Sequence, residues 1–245
     1  MTAQNYFDQV TTVLDYVRGT QSASIERAAE WITASLREGG MLHVFGAAHS
    51  SLIVAEMFYR AGGLVPVNPI TDPNLNVLTV LPTKGTRCER LAGYGTIILD
   101  AYDVRPGEVL IVASQSGRNA TTIEVAMEAQ RRGLKVIAIT SLAHSRSVPS
   151  ADRSGRKLYE IADLVIDTGT PIGDAAVMIH PEWPKVASVS SLAGIVIANA
   201  IVAQVAANFA ASGERPPTWV SNNVPGGDAA NAEAMRSCVL RLKAT

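Results

Sequence analysis

The apolar positions change period along the chain, and each change marks an element. Tyr6, Val10, Val13, Leu14 and Val17 recur at helical spacing and are closed by Gly19. Ile25, Ala28, Ala29, Ile32 and Leu36 trace one face of a second helix, which stops at Gly39-Gly40. The pattern then shortens. Residues 41–45, 109–113, 135–140 and 164–167 are compact, largely apolar runs of the kind that form strands buried on both faces. Residues 64–68 predict another strand, 76–81 a further extended piece, and 175–179 the candidate fifth main strand. Between them the spacing predicts helices over 50–61, 89–102 and 119–132, then a long one within 186–213 and a last one from about Asp228 to Leu242. Residues 141–155 read as a polar loop.

Strands that alternate with helices predict an α/β fold: a doubly wound parallel sheet with helices on both faces. No repeat or low-complexity linker divides the chain, so one domain is expected over 1–245. It comprises a helical arm (1–40), an α/β core (41–180) and C-terminal helices (185–245). Such sheets bind ligands beyond the carboxyl ends of their strands, where the strand order reverses. The turns after Phe45 and Ala113 are therefore the places to look for chemistry.

Composition narrows the classes. With 21 basic and 22 acidic residues the net charge is −1, and no basic stripe offers a nucleic acid or an anionic membrane a surface. Cys88 and Cys238 have no metal-ligand spacing, and the N-terminal residues lack the basic-then-apolar pattern of a signal peptide. A reducing, cytoplasmic setting is expected. Residues 186–213 carry no charge and are long enough to span a bilayer, but their serines, asparagines and many alanines favour a helix buried within protein, in part at a subunit interface.

Ser114-Gln115-Ser116-Gly117 lies between the clearest strand and a strong helix. A helix start offers unpaired N–H groups and the positive end of its dipole, so it attracts anions. Gly117 admits close backbone approach, and Ser114, Ser116 and Asn119 add short donors around a tetrahedral anion. The same residues could simply cap a helix; their position at the end of the central strand favours a phosphate cradle. The turn Gly46-Ala47-Ala48-His49-Ser50-Ser51 lacks the further glycines of a dinucleotide fingerprint, Lys84-Gly85-Thr86 runs in the wrong order for a P-loop, and no Gly-x-Ser-x-Gly elbow occurs.

A strand leading into Ser-Gln-Ser-Gly and a helix, preceded by a strand that ends in Gly46-x-x-x-Ser50, resembles the sugar isomerase (SIS) domain family. The segment 44–69 and the run Ser221-Asn222-Asn223-Val224-Pro225-Gly226-Gly227-Asp228 are similar to an uncharacterised branch of that family, over nearly the whole chain. The resemblance implies a five-stranded parallel sheet of flavodoxin-like order, a homodimer or higher oligomer, and a phosphosugar ligand. It assigns phosphosugar binding to Gly46, Ser50, Ser51, Ser114, Gln115, Ser116, Gly117 and Asn119. Ala48 stands where the first loop commonly has glycine, and Asn119 where threonine is common.

Aldose–ketose isomerisation needs a base to move a proton between adjacent carbons and a group to assist ring opening. His49, beside Ser50, is one candidate; Glu56, six residues after Ser50 on the next helix, and His180, at the end of an apolar run, are others. Each also has a bland reading: a loop hydrogen bond for His49, a surface carboxylate for Glu56, a satisfied loop residue for His180. Asp174 and Asp228 read as turn or cap residues, His43 as a buried strand residue, and His144 as part of the polar loop. No metal and no cofactor is expected. Two other activities stay open. Ser116-Gly117-Arg118 resembles the Ser-Gly-Arg run of muramic-acid-phosphate etherases, which carry a glutamate near the position of Ala92, where this chain has only Glu89 nearby. A non-catalytic phosphosugar sensor is the third reading.

Overall fold

The computed structural model describes residues 2–238 and Arg241, without the side chains of Ser237 and Cys238. Two helices open the chain, α1 (Thr2–Thr20) and α2 (Ser22–Arg37). The core follows as β1 (Leu42–Gly46), α3 (Ser51–Met57), β2 (Val67–Ile70), α4 (Pro82–Glu89), α5 (Tyr94–Asp100), β3 (Val109–Ala113), α6 (Ala120–Arg131), β4 (Lys135–Thr140), α7 (Leu142–Ser147), α8 (Leu158–Ile161) and β5 (Leu164–Asp167). A hairpin of β6 (Ala175–Val177) and β7 (Val186–Ser188) leads into α9 (Ser190–Ala211), and α10 (Gly227–Cys238) closes the described chain.

Five parallel strands form one sheet in the order β2-β1-β3-β4-β5. The alternation along each strand fills both faces. Leu42, Val44, Val109, Ile111 and Ala113 pack with Ala28, Ile32, Ile53, Ile197 and Ile201 beneath α2, α3 and α9. Phe45, Leu110, Val112, Val136 and Ala138 pack with Leu99, Ile123 and Leu158 beneath α5, α6 and α8. This is the doubly wound, flavodoxin-like sheet expected, with helices added at both ends.

Several boundaries differ from the sequence reading, each for a local reason. The fifth strand is not 175–179: Ala175–Val177 pairs antiparallel with Val186–Ser188, outside the main sheet. The strand expected at 64–68 begins later, because Leu64 and Val65 pair instead with the segment Pro217–Thr218. The extended piece at 76–81 is a set of turns, held by the Asn76 side chain accepting from Leu78 N–H, and Pro82 then opens α4. The helix expected over 89–102 is broken at Gly93, whose φ of +85° cannot continue a helix. The helix expected over 50–61 ends at Met57, where Tyr59 turns left-handed (φ +46°) and sets its ring edge-on to Trp219. The expected end of the last helix at Leu242 lies outside the described residues.

Among the described residues α9 alone is long and apolar enough to cross a membrane. Its inner face is buried instead: Ala193, Ile197, Ile201 and Val205 join the core, and Gly194 lies so close to Ile53 that a Cβ would stand 2.3 Å from its Cδ1.

At the amino end of the sheet a buried ionic cluster closes the core. His43, wholly buried in β1, donates from Nε2 to Glu108 Oε2 at 2.8 Å, which leaves Nδ1 to accept from Asn68 Nδ2. Glu108 also accepts from Met41 N–H, Arg105 N–H and the Arg241 guanidinium. Burial pushes the Glu108 carboxyl up, but the bonds from His43 and Arg241 outweigh it and hold the group at about 2. Its folded value lies below the ordinary 4.5, so its contribution is present above that value and is lost as pH falls through about 2. Glu108→Gln is therefore expected to cost about 2 kcal/mol at pH 7, with a smaller difference from wild type at pH 3, read by urea unfolding. The same difference at both pH values would contradict this account.

Candidate functional site

Gly46 and Ala113 lie opposite one another where β1 and β3 end, so two loops leave the sheet side by side at the point where strand order reverses. The first loop is tight. Ser50 N–H donates to Ala47 carbonyl and Ser51 N–H to Ala48 carbonyl. The turn folds so closely over Gly46 that a Cβ there would stand 2.4 Å from the Ser50 carbonyl oxygen. Ala48 takes φ +49°, a left-handed conformation that glycine adopts more readily. Its N–H donates to the Leu75 carbonyl at 2.8 Å, which fixes the turn against the loop after β2.

The second loop is built around Gly117. Its φ is +53°, its N–H donates to Ser114 Oγ at 3.2 Å, and its carbonyl accepts from Leu158 N–H at 2.9 Å. A Cβ at this position would stand 3.0 Å from Leu158 Cβ and 3.2 Å from Ser145 Oγ. Gln115 is held outward by a 2.6 Å bond from its Nε2 to Thr170 Oγ1. Asn119 precedes α6 in an extended conformation and does not cap it with its side chain. No acceptor within the described chain takes the N–H groups of Gln115, Ser116 or the first turn of α6 from Ala120 to Thr122, nor the hydroxyls of Ser50 and Ser116. A loop with open donors at the head of a 12-residue helix is an anion-binding arrangement.

Between the loops runs a cleft walled by Ser50, Ser114, Gln115, Thr168, Ser190 and Ser191, with Ile53 and Ile139 below. Asp174 closes the amino end of α9 there, accepting from Val189 N–H, Ser190 N–H and Ser190 Oγ. The fold thus gathers Gly46, Ser50, Ser51, Ser114, Gln115, Ser116, Gly117 and Asn119 along one edge of the sheet. Ser51 is buried in the first turn of α3, and His49 is exposed beside Ser50. Glu56 and His180 are engaged elsewhere and do not wall the cleft. Glu56 Oε1 accepts from Asn199 Nδ2 at 3.0 Å and from Arg60 Nε at 3.1 Å, which joins α3 to α9. His180 lies exposed in the turn between β6 and β7, stacked on Trp183, and accepts from Glu182 N–H. Among the described residues no three His, Cys, Asp or Glu cluster as a metal site would require.

Glu89, which the sequence places only near the etherase glutamate position, lies at the loop in the fold. It ends α4, and its Oε2 accepts from Asn119 Nδ2 at 2.6 Å, directly at the head of α6. Thr121 Oγ1 donates to the neighbouring Cys88 carbonyl, a second tie between α4 and the loop. Burial pushes the Glu89 carboxyl above its ordinary value, against the pull of the Asn119 bond. A half-buried carboxylate with a raised pKa beside an anion cradle is suited to proton transfer. Thr168, Ser190 and Ser191 were also missed. Thr168 follows the end of β5, where the rule of carboxyl ends could have found it; the two serines were hidden in an uncharged helical run.

The fold and these two loops define a doubly wound domain with unpaired N–H donors at its switch point. The chain belongs to the SIS domain family, whose model matches residues 5–141. A UPF0309 protein of Shouchella clausii is 39% identical over 233 residues, covering 95% of this chain and 94% of that one. The fold is that of the phosphoheptose isomerase from Neisseria gonorrhoeae (TM-score 0.55, 20% identity, 83% of this chain and 96% of that chain). It is also that of the Vibrio vulnificus NanR protein complexed with ManNAc-6P (TM-score 0.51, 15% identity, 100% of this chain and 69% of that chain).

The left-handed alanine yields a direct test of the first loop. Ala48→Gly removes a left-handed cost of about 1–2 kcal/mol against a glycine entropy cost of about 0.5–1 kcal/mol. A net gain of about 0.5 kcal/mol in chemical unfolding is expected; a loss of that size would show that the turn is not strained.

Proposed function

We propose that the chain binds a phosphorylated sugar, its phosphate on the loop 114–119 and its hydroxyls against the first loop, and acts on it as an aldose–ketose isomerase. The observation that carries this reading is the set of open donors at the head of α6, on the loop whose Ser114 and Gln115 wall one cleft with Ser50. Family membership supports the phosphosugar as ligand. Ser50, Ser114, Ser116 and Asn119 with the loop N–H groups hold the phosphate, and Gly46, Ser51, Gln115 and Gly117 shape the cradle. Bound there, the phosphate fixes the sugar chain so that its reacting carbons lie near the carboxylate of Glu89. Glu89 removes the proton from C2 of the open-chain sugar while the carbonyl oxygen at C1 takes up a proton, and the enediol then receives the proton at C1 as the hydroxyl at C2 gives up its own. His49, exposed beside Ser50, assists ring opening. Glu56 and His180 take no part in this account of the proton transfer, because both are committed to other partners.

Glu89 also favours one second reading. Removal of the proton beside a carbonyl is equally the first step of a lyase that eliminates an ether substituent from C3. An etherase-like elimination thus needs the same carboxylate, and the substrate decides which product leaves. Assembly as a homodimer in the cytoplasm, and a single domain over 1–245, belong to the same proposal.

Thermal shift with a panel of sugar phosphates, followed by incubation of each hit in deuterated water, tests both parts. Ser116→Asp is expected to abolish the shift, since it places a negative charge in the cradle. Glu89→Gln is expected to keep the shift but to lower deuterium incorporation at C2 by at least about a hundredfold, the lower end of the range for general base catalysis. Undiminished binding by Ser116→Asp would misplace the phosphate, and undiminished exchange by Glu89→Gln would dismiss Glu89 as the base.

A further inference from the structure

Behind the cradle, Arg118, Lys157 and His144 lie beside buried polar atoms that have no hydrogen-bond partner among the described residues. Among the described residues six buried side-chain nitrogen or oxygen atoms lack a hydrogen-bond partner, and three of them belong to the Gly117 turn and to α7 beneath it: Arg118 Nε, His144 Nδ1 and Ser145 Oγ. Buried polar atoms are almost always satisfied, so such a concentration calls for a partner the chain itself does not supply. The place is well defined. Arg118 follows Gly117 directly, its carbonyl accepts from Ala151 N–H at 2.9 Å, and Ser145 Oγ lies beneath Gly117. Lys157, only 6% exposed, spends its ammonium on the carbonyls of Ser145 and Val148.

The charges in this group do not cancel. Arg118 makes no ion pair among the described residues. Two acids act on the cluster, and each already has partners. Asp174, which acts on His144, accepts from Val189 and Ser190 at the head of α9. Glu160, which acts on Lys157, accepts from the Lys157 N–H. Burial pushes both His144 and Lys157 below their ordinary values; the Arg118 charge adds to the effect on Lys157, and Lys157 and Arg118 together oppose the charging of His144. A half-buried guanidinium whose Nε has no acceptor, beside the buried ammonium of Lys157, is costly, and an oxyanion would relieve it.

We propose that the ligand seated at the loop 114–119 carries a second anionic group, a carboxylate or a further phosphate, received by Arg118 and His144. This rests on the reading of that loop as the phosphate site. Arg118 supplies the planar fork that matches an oxyanion, and His144 supplies a ring N–H. Ser145 and Lys157 lie deeper and set the orientation and the positive field. The substrate class is thereby narrowed from any phosphosugar to one with two acidic groups, a sugar bisphosphate or a phosphorylated sugar acid.

Calorimetric titration of the full chain with glucose 6-phosphate, fructose 1,6-bisphosphate and 6-phosphogluconate separates the alternatives. At least one of the doubly anionic probes is expected to bind at least tenfold more tightly than glucose 6-phosphate, and which one does identifies the second group as phosphate or carboxylate. Arg118→Gln is expected to reduce that preference to within threefold. The NMR titration of His144 in the wild-type chain gives a second readout: the preferred probe should raise its pKa, because a nearby anion favours the imidazolium. Equal affinity for all three probes, or a preference that survives Arg118→Gln with His144 unmoved, would overturn the proposal and leave the phosphate site standing. Binding of none of them would bring down the phosphate reading, and this inference with it.

Discussion

The way the chain leaves β3 governs the rest of the structure. At Gly117 it must turn left-handed under Leu158 and Ser145, return its N–H to Ser114 Oγ, and still present the head of α6 uncapped. No side chain fits that turn without displacing its neighbours. The consequence is a helix terminus that the protein leaves uncapped, at the switch point of a sheet buried on both faces.

Around that turn the structure divides its work between the two ends of the sheet. At the amino end His43, Glu108 and Arg241 satisfy one another in a buried cluster, which closes the core. At the carboxyl end donors are left over. Asn119 does not cap its own helix but reaches Glu89, and Arg118 and His144 hold buried nitrogens without acceptors. At the amino end the charged groups are paired with one another, although Asn68 Oδ1 and Ser35 Oγ there also lack partners, while at the carboxyl end the unpartnered donors lie beside the open head of α6.

Much of this was legible in the sequence, and the failures have physical causes. The strands β1, β3, β4 and β5 are continuous apolar runs and were read within a residue, because burial on both faces leaves a strong signal. The serines and Gly117 of the loop 114–119 stand out in the sequence because they follow the most apolar of those runs. The edge of the sheet was read less well, since Leu64 and Val65 satisfy the strand pattern yet pair with residues 217–218, a tertiary choice. So was the hairpin at 175–177, whose composition suits any strand. The place of Glu89 was not legible, because spacing along the chain does not reveal that α4 folds back onto the head of α6. Glu56 was overrated for the converse reason: its helix position faces the cleft's neighbourhood, but Asn199 and Arg60 claim its carboxylate.

The central claim concerns where a phosphate sits. Diffraction from crystals soaked in a hexose 6-phosphate tests it most directly. The account predicts density for the phosphorus at the head of α6, within hydrogen-bond reach of Ser116, the loop N–H groups and Ser50, with the sugar extending toward Glu89. A phosphate bound at another place, with the loop 114–119 unchanged and empty, would contradict it.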